Sequence, residues 1–300
     1  MHRGVQSLTA PTRPNQRRSA GKADAKDLID LKHLAMNSGE ISDGEIEVVE
    51  YPFAPPGKPL KRICVPRGPD NISVLVKTAR PWEYILLTNL YKRASRGGSY
   101  VEVGANIGSD TVLATDYFKM CYAFEPGARH IAMFNKTMEL NGITNVRLFG
   151  CAVSNQTGPA RLYFGEKTNT GSATLVSDHP DTDRFEQVQT VTLDGAMPPE
   201  VCDVTYVQID AEGHDVLVLQ GARHFIARQQ QRPVIRLEFQ PRALKAHGSS
   251  VAELFAFMRE FRYSVAMELA TLPLNLTVLS NLFDLWQNTS GWIDIFLLPP

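Results

Sequence analysis

Apolar and polar positions follow two periods along the chain, and each change of period marks an element. Pro81 opens an apolar-periodic stretch over residues 82–91 that reads as a helix, ended by Arg96-Gly97-Gly98. From residue 100 short apolar runs alternate regularly with helix-period segments. Residues 100–103 read as a strand running into Gly104, and residues 108–118 as a helix. Residues 121–124 form the next strand. Ile131, Phe134 and Met138 mark a second helix, closed by Asn141-Gly142, and residues 145–149 form a third strand. A polar region with two hairpin-like strands follows, at 160–164 and 188–193. Residues 204–209 read as a fourth strand, leading into a helix with Leu219, Ala222 and Ile226 on one face. Pro233 starts the strand 234–239. Ser250 and Glu253 make a capping box ahead of an apolar stripe of Val251, Leu254, Phe255 and Met258. Residues 263–267 and 292–298 read as closing strands. Strands alternating with helices of this length predict an α/β fold, a mainly parallel sheet with helices on both faces. Such sheets bind ligands at the carboxyl ends of their strands.

The first hundred residues are different. Residues 1–27 are rich in Arg, Ser, Thr and Pro and hold six basic groups against two acidic ones, Asp24 and Asp27. With almost no large apolar residues they cannot offset the entropy of ordering, which predicts a disordered basic head. Residues 1–20 are also Arg-rich and acid-free, as organellar transit peptides are, although a plain flexible tail is the simpler reading. Residues 28–99 read as an N-terminal extension, a short helix followed by strands at 46–51 and 62–65. The α/β domain then occupies 100–300.

Composition narrows the function. The 300 residues carry 31 Lys+Arg and 32 Asp+Glu, a net charge of −1, and without the head the rest is mildly acidic. That balance argues against a nucleic-acid binder. Apolar residues make up 43%, enough for a substantial core. No run reaches the ~18 apolar residues of a membrane span, and no apolar segment follows the N-terminus, so a cytoplasmic location is expected. Cys64, Cys121, Cys151 and Cys202 form no C-x-x-C pair, so they read as free thiols and no metal-ligand set is visible.

The first strand ends in Glu102-Val103-Gly104-Ala105-Asn106-Ile107-Gly108, a glycine-containing turn ahead of a helix, which is a nucleotide-cofactor signal. The dinucleotide fingerprint is G-x-G-x-x-G. Here the glycines are four apart, and Asn106 stands where the backbone would approach a pyrophosphate. Glu102 would repel a pyrophosphate and attract an ammonium or sulfonium. The residues therefore favour S-adenosylmethionine over NAD(P), whose oxidoreductases are the first alternative. Glu125, 21 residues after Gly104 in Phe124-Glu125-Pro126, stands where a carboxylate reads ribose hydroxyls. The fourth strand ends in Asp210-Ala211-Glu212-Gly213-His214-Asp215. Asp210 is the best acid for the crevice, Glu212 follows, and His214 is a base by type, although it also begins the next helix. Glu238 could reach the crevice or the surface, and Asn169-Thr170-Gly171-Ser172 could cap the pocket or be a mere loop.

Across residues 82–240 the sequence resembles the FkbM family of S-adenosylmethionine-dependent methyltransferases. The resemblance rests on residues 100–108, Ala123-Phe124-Glu125-Pro126, Ala152-Val153-Ser154, Asp210-Ala211-Glu212-Gly213-His214-Asp215 and Leu219-Gln220-Gly221-Ala222. One departure is Gln208, where the family carries Lys before its Ile-Asp pair. The resemblance implies a class I methyltransferase (Rossmann-like) fold with a seven-stranded sheet, S-adenosylmethionine as donor and a hydroxyl acceptor on a small molecule or carbohydrate. By position it implies that Glu102, Gly104, Asn106 and Gly108 hold the methionine part, that Glu125 with Pro126 binds the ribose, and that Cys151 and Ala152 lie near the adenine. Asp210 and Glu212 would border the methyl group and the acceptor. A methyltransferase-like module without catalysis is the second alternative.

Overall fold

Strands β1 (Ile46–Glu50) and β2 (Arg62–Pro66) pair antiparallel ahead of helices α1 (Asn71–Lys77) and α2 (Pro81–Ser95). Then β3 (Ser99–Val103), α3 (Ser109–Ala114), β4 (Cys121–Phe124), α4 (Ala128–Leu140) and β5 (Val146–Phe149) alternate. A small sheet follows, made of β6 (Ala152–Val153), β7 (Gly158–Tyr163) and β8 (Phe185–Val191). After it come α5 (Leu193–Ala196), β9 (Val204–Ile209), α6 (Asp215–Gln220), α7 (Arg223–Ala227), β10 (Val234–Phe239), α8 (Pro241–Ala246) and α9 (Val251–Phe261). The chain closes with β11 (Ser264–Met267), β12 (Ala270–Leu274) and β13 (Ile293–Leu298). The computed structural model describes residues 41–42, 44–165, 168–176, 184–267, 270–274, 281, 284 and 291–300. The basic head, its targeting reading and the short helix expected before residue 41 lie outside the described residues.

The main sheet runs β5-β4-β3-β9-β10-β13-β11-β12. The first five strands in that order are parallel, and β13 is antiparallel to both β10 and β11. The seven strands from β5 to β11 are the sheet expected, and β12 extends it by one at the edge. Winding proceeds outward from β3 through β4 and β5, then restarts on the other side with β9 and β10. The strand order therefore reverses between β3 and β9, and a crevice opens at their carboxyl ends. Alternate residues feed the two faces. Val101, Val103, Val207 and Ile209 pack against α6 and α9 through Val216 and Leu254. Tyr100 and Tyr206 pack on the other face with Tyr91 of α2 and Met133 and Phe134 of α4.

The single helix expected around Leu219, Ala222 and Ile226 is two helices, α6 and α7. The break falls at Gly221, where an added Cβ would lie 2.0 Å from the Ser154 carbonyl oxygen. Asp194 bridges it: its N–H donates to the Gly221 carbonyl at 2.9 Å and its carboxylate accepts from the Phe225 N–H at 2.6 Å. Cys64, Cys121 and Cys151 are buried free thiols, and Cys202 is free and partly exposed.

The extension packs on the same face as α4, because Ile63, Cys64 and Val65 of β2 share the apolar cluster of Tyr100 and Phe134. Asp70 ties it to a distant loop. One carboxylate oxygen caps α1 by accepting from Ile72 and Ser73 N–H, and the other accepts from Thr170 N–H at 3.0 Å. Asn71 N–H in turn donates to the Thr168 carbonyl. Asp70→Ala is expected to cost about 1 kcal/mol in lost capping, a fall of roughly 2–4 °C in melting temperature, and to speed deuterium exchange at the Thr170 amide. Unchanged exchange there would show that the loop is held by something else.

Candidate active site at the carboxyl edge of the sheet

Three residues in the turn after β3 are left-handed: Gly104 (φ +83°), Asn106 (φ +49°) and Gly108 (φ +81°). This explains the alternating Gly-x-Asn-x-Gly pattern, since glycine adopts that conformation freely and asparagine tolerates it. At Gly104 the requirement is doubled, because an added Cβ would fall 1.8 Å from the Asp210 carbonyl oxygen. The turn thus crosses directly over the end of β9, where Asp210 N–H donates to the Val103 carbonyl. The turn is also pinned to the end of β4. Glu125 accepts from the Asn106 N–H at 2.9 Å with one carboxylate oxygen. The other accepts from the Gly127 N–H at 2.8 Å and lies 3.2 Å from His130 Nδ1.

A cavity of about 490 Å³ opens beside these turns. Of the residues expected at the site, Glu102, Gly104, Asn106, Glu125, Pro126, Ala152, Asp210, Glu212 and His214 line it. Gly108 and Cys151 are not part of this wall. Gly108 lies behind the turn, where an added Cβ would meet Phe134 and Met138 at 2.8 and 2.9 Å. Cys151 is fully buried in the apolar cluster, one residue behind Ala152. The wall also includes residues that no motif announced: Ile72 and Leu75 of α1, Gln240 and Trp292. Asn169, Gly171 and Ser172 of the long loop line it too.

At the carboxyl ends of β9 and β10 the carboxylates of Asp210, Glu212 and Glu238 come within 4.8 Å of one another. Gln240 Nε2 donates to both Glu238 and Glu212. No metal-ligand set is visible in the sequence, yet the fold brings together three oxygens close enough for one cation. All three acids are raised, with Asp210 still exposed to the cavity and Glu212 and Glu238 half-buried. Burial, against the pull of Arg236, puts Asp210 at about 6. Burial and then the neighbouring Asp210 put Glu212 at about 7, and burial followed by Asp210 and Glu212 puts Glu238 at about 10. Glu102, which accepts from the Thr111 hydroxyl, is pushed well above the carboxylate range by burial and then by Asp110.

His214 is differently placed from a free base. Its Nε2 lies 2.9 Å from Ser154 Oγ and its Nδ1 lies 2.8 Å from His247 Nδ1. His247 Nε2 in turn meets Thr174 Oγ1 at 3.1 Å. Burial, and then His247, lower His214 to about 4, so the ring is neutral at physiological pH. Both ring nitrogens are engaged, one with Ser154 and the other with His247. Gln208 occupies the expected lysine position and donates to Asp110 at 2.6 Å. The cation stands one strand over: Arg236, opposite Gln208 in register, pairs with Asp294 at 2.6 Å and reaches Asp110 at 3.8 Å.

The site fits a positively charged nucleoside. Asn106 lines the cavity, and its Oδ1 is buried without a hydrogen-bond partner. The Glu102 carboxyl in the same wall would ionise against an arriving cation. Among solved structures the chain is similar to a precorrin-6y C5,15-methyltransferase of Geobacter metallireducens GS-15, at 11% identity, 74% of this chain, 90% of that one and TM-score 0.40. It is also similar to an rRNA methylase of Streptococcus thermophilus, at 12% identity, 74% and 99% coverage and TM-score 0.40. No curated protein matches it. Residues 102–265, more than half of the chain, match the Methyltransferase FkbM domain, and the protein therefore belongs to the FkbM methyltransferases, with S-adenosylmethionine as its cofactor.

Proposed function

We propose that the protein transfers the methyl group of S-adenosylmethionine to a hydroxyl of a small molecule or glycan. The observation that carries this reading is the cluster of Asp210, Glu212 and Glu238 in the wall of the same cavity that the Gly104 turn lines. In this reading Glu102, Gly104 and Asn106 hold the methionine part, Glu125 and Pro126 the ribose, and Ala152 the adenine side. When bound, S-adenosylmethionine supplies a methyl carbon activated by its sulfonium charge. Asp210 and Glu212 would orient the acceptor hydroxyl at that carbon, and Asp210 would take its proton as the methyl carbon exchanges its bond to sulfur for one to oxygen, with S-adenosylhomocysteine as the leaving group. Alignment with water excluded can contribute about 7–11 kcal/mol of barrier lowering.

The test is a mass-spectrometric search for labelled product in cell extract supplied with donor carrying an isotopic methyl group. A product methylated on oxygen supports the reading, and one methylated on nitrogen or carbon overturns it. No product at all, with S-adenosylhomocysteine binding intact, would favour the non-catalytic module. Calorimetric binding of NADH in place of S-adenosylhomocysteine would favour the oxidoreductase.

Glu212 adds a check on role. It is left-handed (φ +50°) without being glycine, a conformation that costs about 1–2 kcal/mol. Such strain persists where function holds it. Glu212→Gly is expected to raise stability by about 1 kcal/mol, seen as a higher urea midpoint, while turnover falls at least tenfold. A variant that gains stability and keeps full turnover would remove Glu212 from the mechanism.

A further inference from the structure

Glu125 holds the Gly104 turn from the β4 side of β3. A chain of polar contacts holds the start of α3 from the other side of β3, where β9 and β10 lie. The Tyr100 hydroxyl of β3 donates to Gln208 Oε1 of β9 at 3.2 Å. Gln208 Nε2 donates to Asp110 Oδ2, in the first turn of α3, at 2.6 Å. The same Asp110 oxygen lies 3.8 Å from Arg236 Nη1 of β10, and Arg236 Nη2 donates to Asp294 of β13 at 2.6 Å. One guanidinium is thus shared by two carboxylates, one from α3 and one from β13.

Asp110 lines the cavity with Gln208 and stands two residues beyond Gly108, so whatever holds Asp110 holds the start of α3. An amide hydrogen bond fixes the direction of a carboxylate but leaves its charge unpaired, whereas a guanidinium supplies the opposite charge as well. Gln208 therefore aims Asp110, and Arg236, opposite Gln208 in register, pairs with it from the next strand. The two contacts of Arg236 lead to different places. Asp294 is not part of the cavity wall, and its contact joins β10 to β13. The Asp110 contact reaches the helix that the donor turn opens. A binding segment fixed before its ligand arrives loses less conformational entropy on binding, so loosening it weakens affinity.

We propose that Arg236 is a positioning residue for S-adenosylmethionine, acting through Asp110 to hold the Gly104–Gly108 turn and the first turn of α3 in the form that binds. The proposal rests on the placing of the donor's methionine part at that turn, made above.

Two measurements on the full chain test it: calorimetric titration with S-adenosylhomocysteine, and deuterium exchange at the Val112 amide, which donates to the Gly108 carbonyl across the start of α3. Arg236→Gln is expected to weaken binding at least fivefold and to speed Val112 exchange in the ligand-free protein. Asp294→Asn breaks the other ion pair of the same guanidinium. It is expected to lower the melting temperature and to leave affinity within twofold. Arg236→Gln combined with Gln208→Lys moves the cation to β9, at the position from which Gln208 reaches Asp110, and is expected to restore affinity to within twofold of wild type. In an Asp110→Asn background, adding Arg236→Gln is expected to weaken binding by less than twofold, because the two residues act along one line. Should Arg236→Gln alone fail to fold, Arg236→Gln with Asp294→Asn leaves no carboxylate unpaired at β13 and takes its place. Unchanged affinity on loss of the Arg236 charge, equal weakening in Asp294→Asn, no recovery with Gln208→Lys, or additive losses in the Asp110 background would each overturn the proposal. Failure of the wild-type protein to bind S-adenosylhomocysteine would instead overturn the donor placement beneath it.

Discussion

Gly104→Ala is expected to abolish S-adenosylhomocysteine binding and to lower the melting temperature by roughly 10 °C. Two costs combine. A residue with a side chain at φ +83° costs about 1–2 kcal/mol by itself. The new methyl would also stand 1.8 Å from the Asp210 carbonyl oxygen, a backbone atom that no rotamer change can move. Overpacking of this kind typically costs about 1–3 kcal/mol more, relieved only by shifting the turn off β9. At roughly 2–4 °C per kcal/mol for a domain of this size, the sum gives the stated fall. Moving the turn would also displace the Asn106 N–H from Glu125 and so open the donor end of the cavity. Gly142→Ala is the control. It is left-handed too (φ +61°) but has nothing within 4 Å of the added Cβ, so only the conformational cost of about 1 kcal/mol is expected. Calorimetric titration and thermal unfolding of both variants decide the matter. Wild-type affinity in Gly104→Ala would show that the turn is not the cradle.

The local part of this design is legible in the chain. Strands 204–209 and 234–239 form over the residues their apolar runs indicate, because Pro233 and the acids after Ile209 punctuate them. The Ser250–Glu253 capping box forms as its spacing requires. The Gly-x-Asn-x-Gly turn is readable because backbone conformation is a local property. What the chain conceals is nonlocal. The break between α6 and α7 depends on the approach of Ser154, more than sixty residues away. The engagement of His214 depends on His247, which no pattern links to it. Glu238 reads equally as a surface or a crevice acid until the sheet order places β10 beside β9. Gly108 and Cys151 have the right spacing for the site, but spacing alone cannot distinguish a residue on the cavity wall from one packed just behind it.

Asp210→Asn is expected to lower kcat by about 10²–10⁴ while leaving S-adenosylhomocysteine affinity within about threefold, the range for loss of a positioned general base. Asparagine keeps the shape of the carboxylate, so the backbone contacts of Asp210 with Val103 and Gly104 persist. What is lost is the lone pair that receives the hydroxyl proton. The wild-type pH profile should carry the same signature. Asp210 lies at about 6 and Glu212 at about 7, both raised chiefly by burial. An acid with a raised pKa is protonated and useless as a base below that value. Turnover should therefore climb with pH through the window from about 6 to about 7 and level off above it. The two acids face each other, so the midpoint belongs to the pair. The neutral His214, at about 4, does not titrate in that window. In Asp210→Asn the climb should flatten along with the loss of rate, because the group that must deprotonate is gone. Single-turnover methyl transfer measured between pH 5 and 9 gives both numbers. A variant that is slow yet retains the wild-type climb would move the base to Glu212, and one with wild-type turnover would remove both the step and the residue from the mechanism.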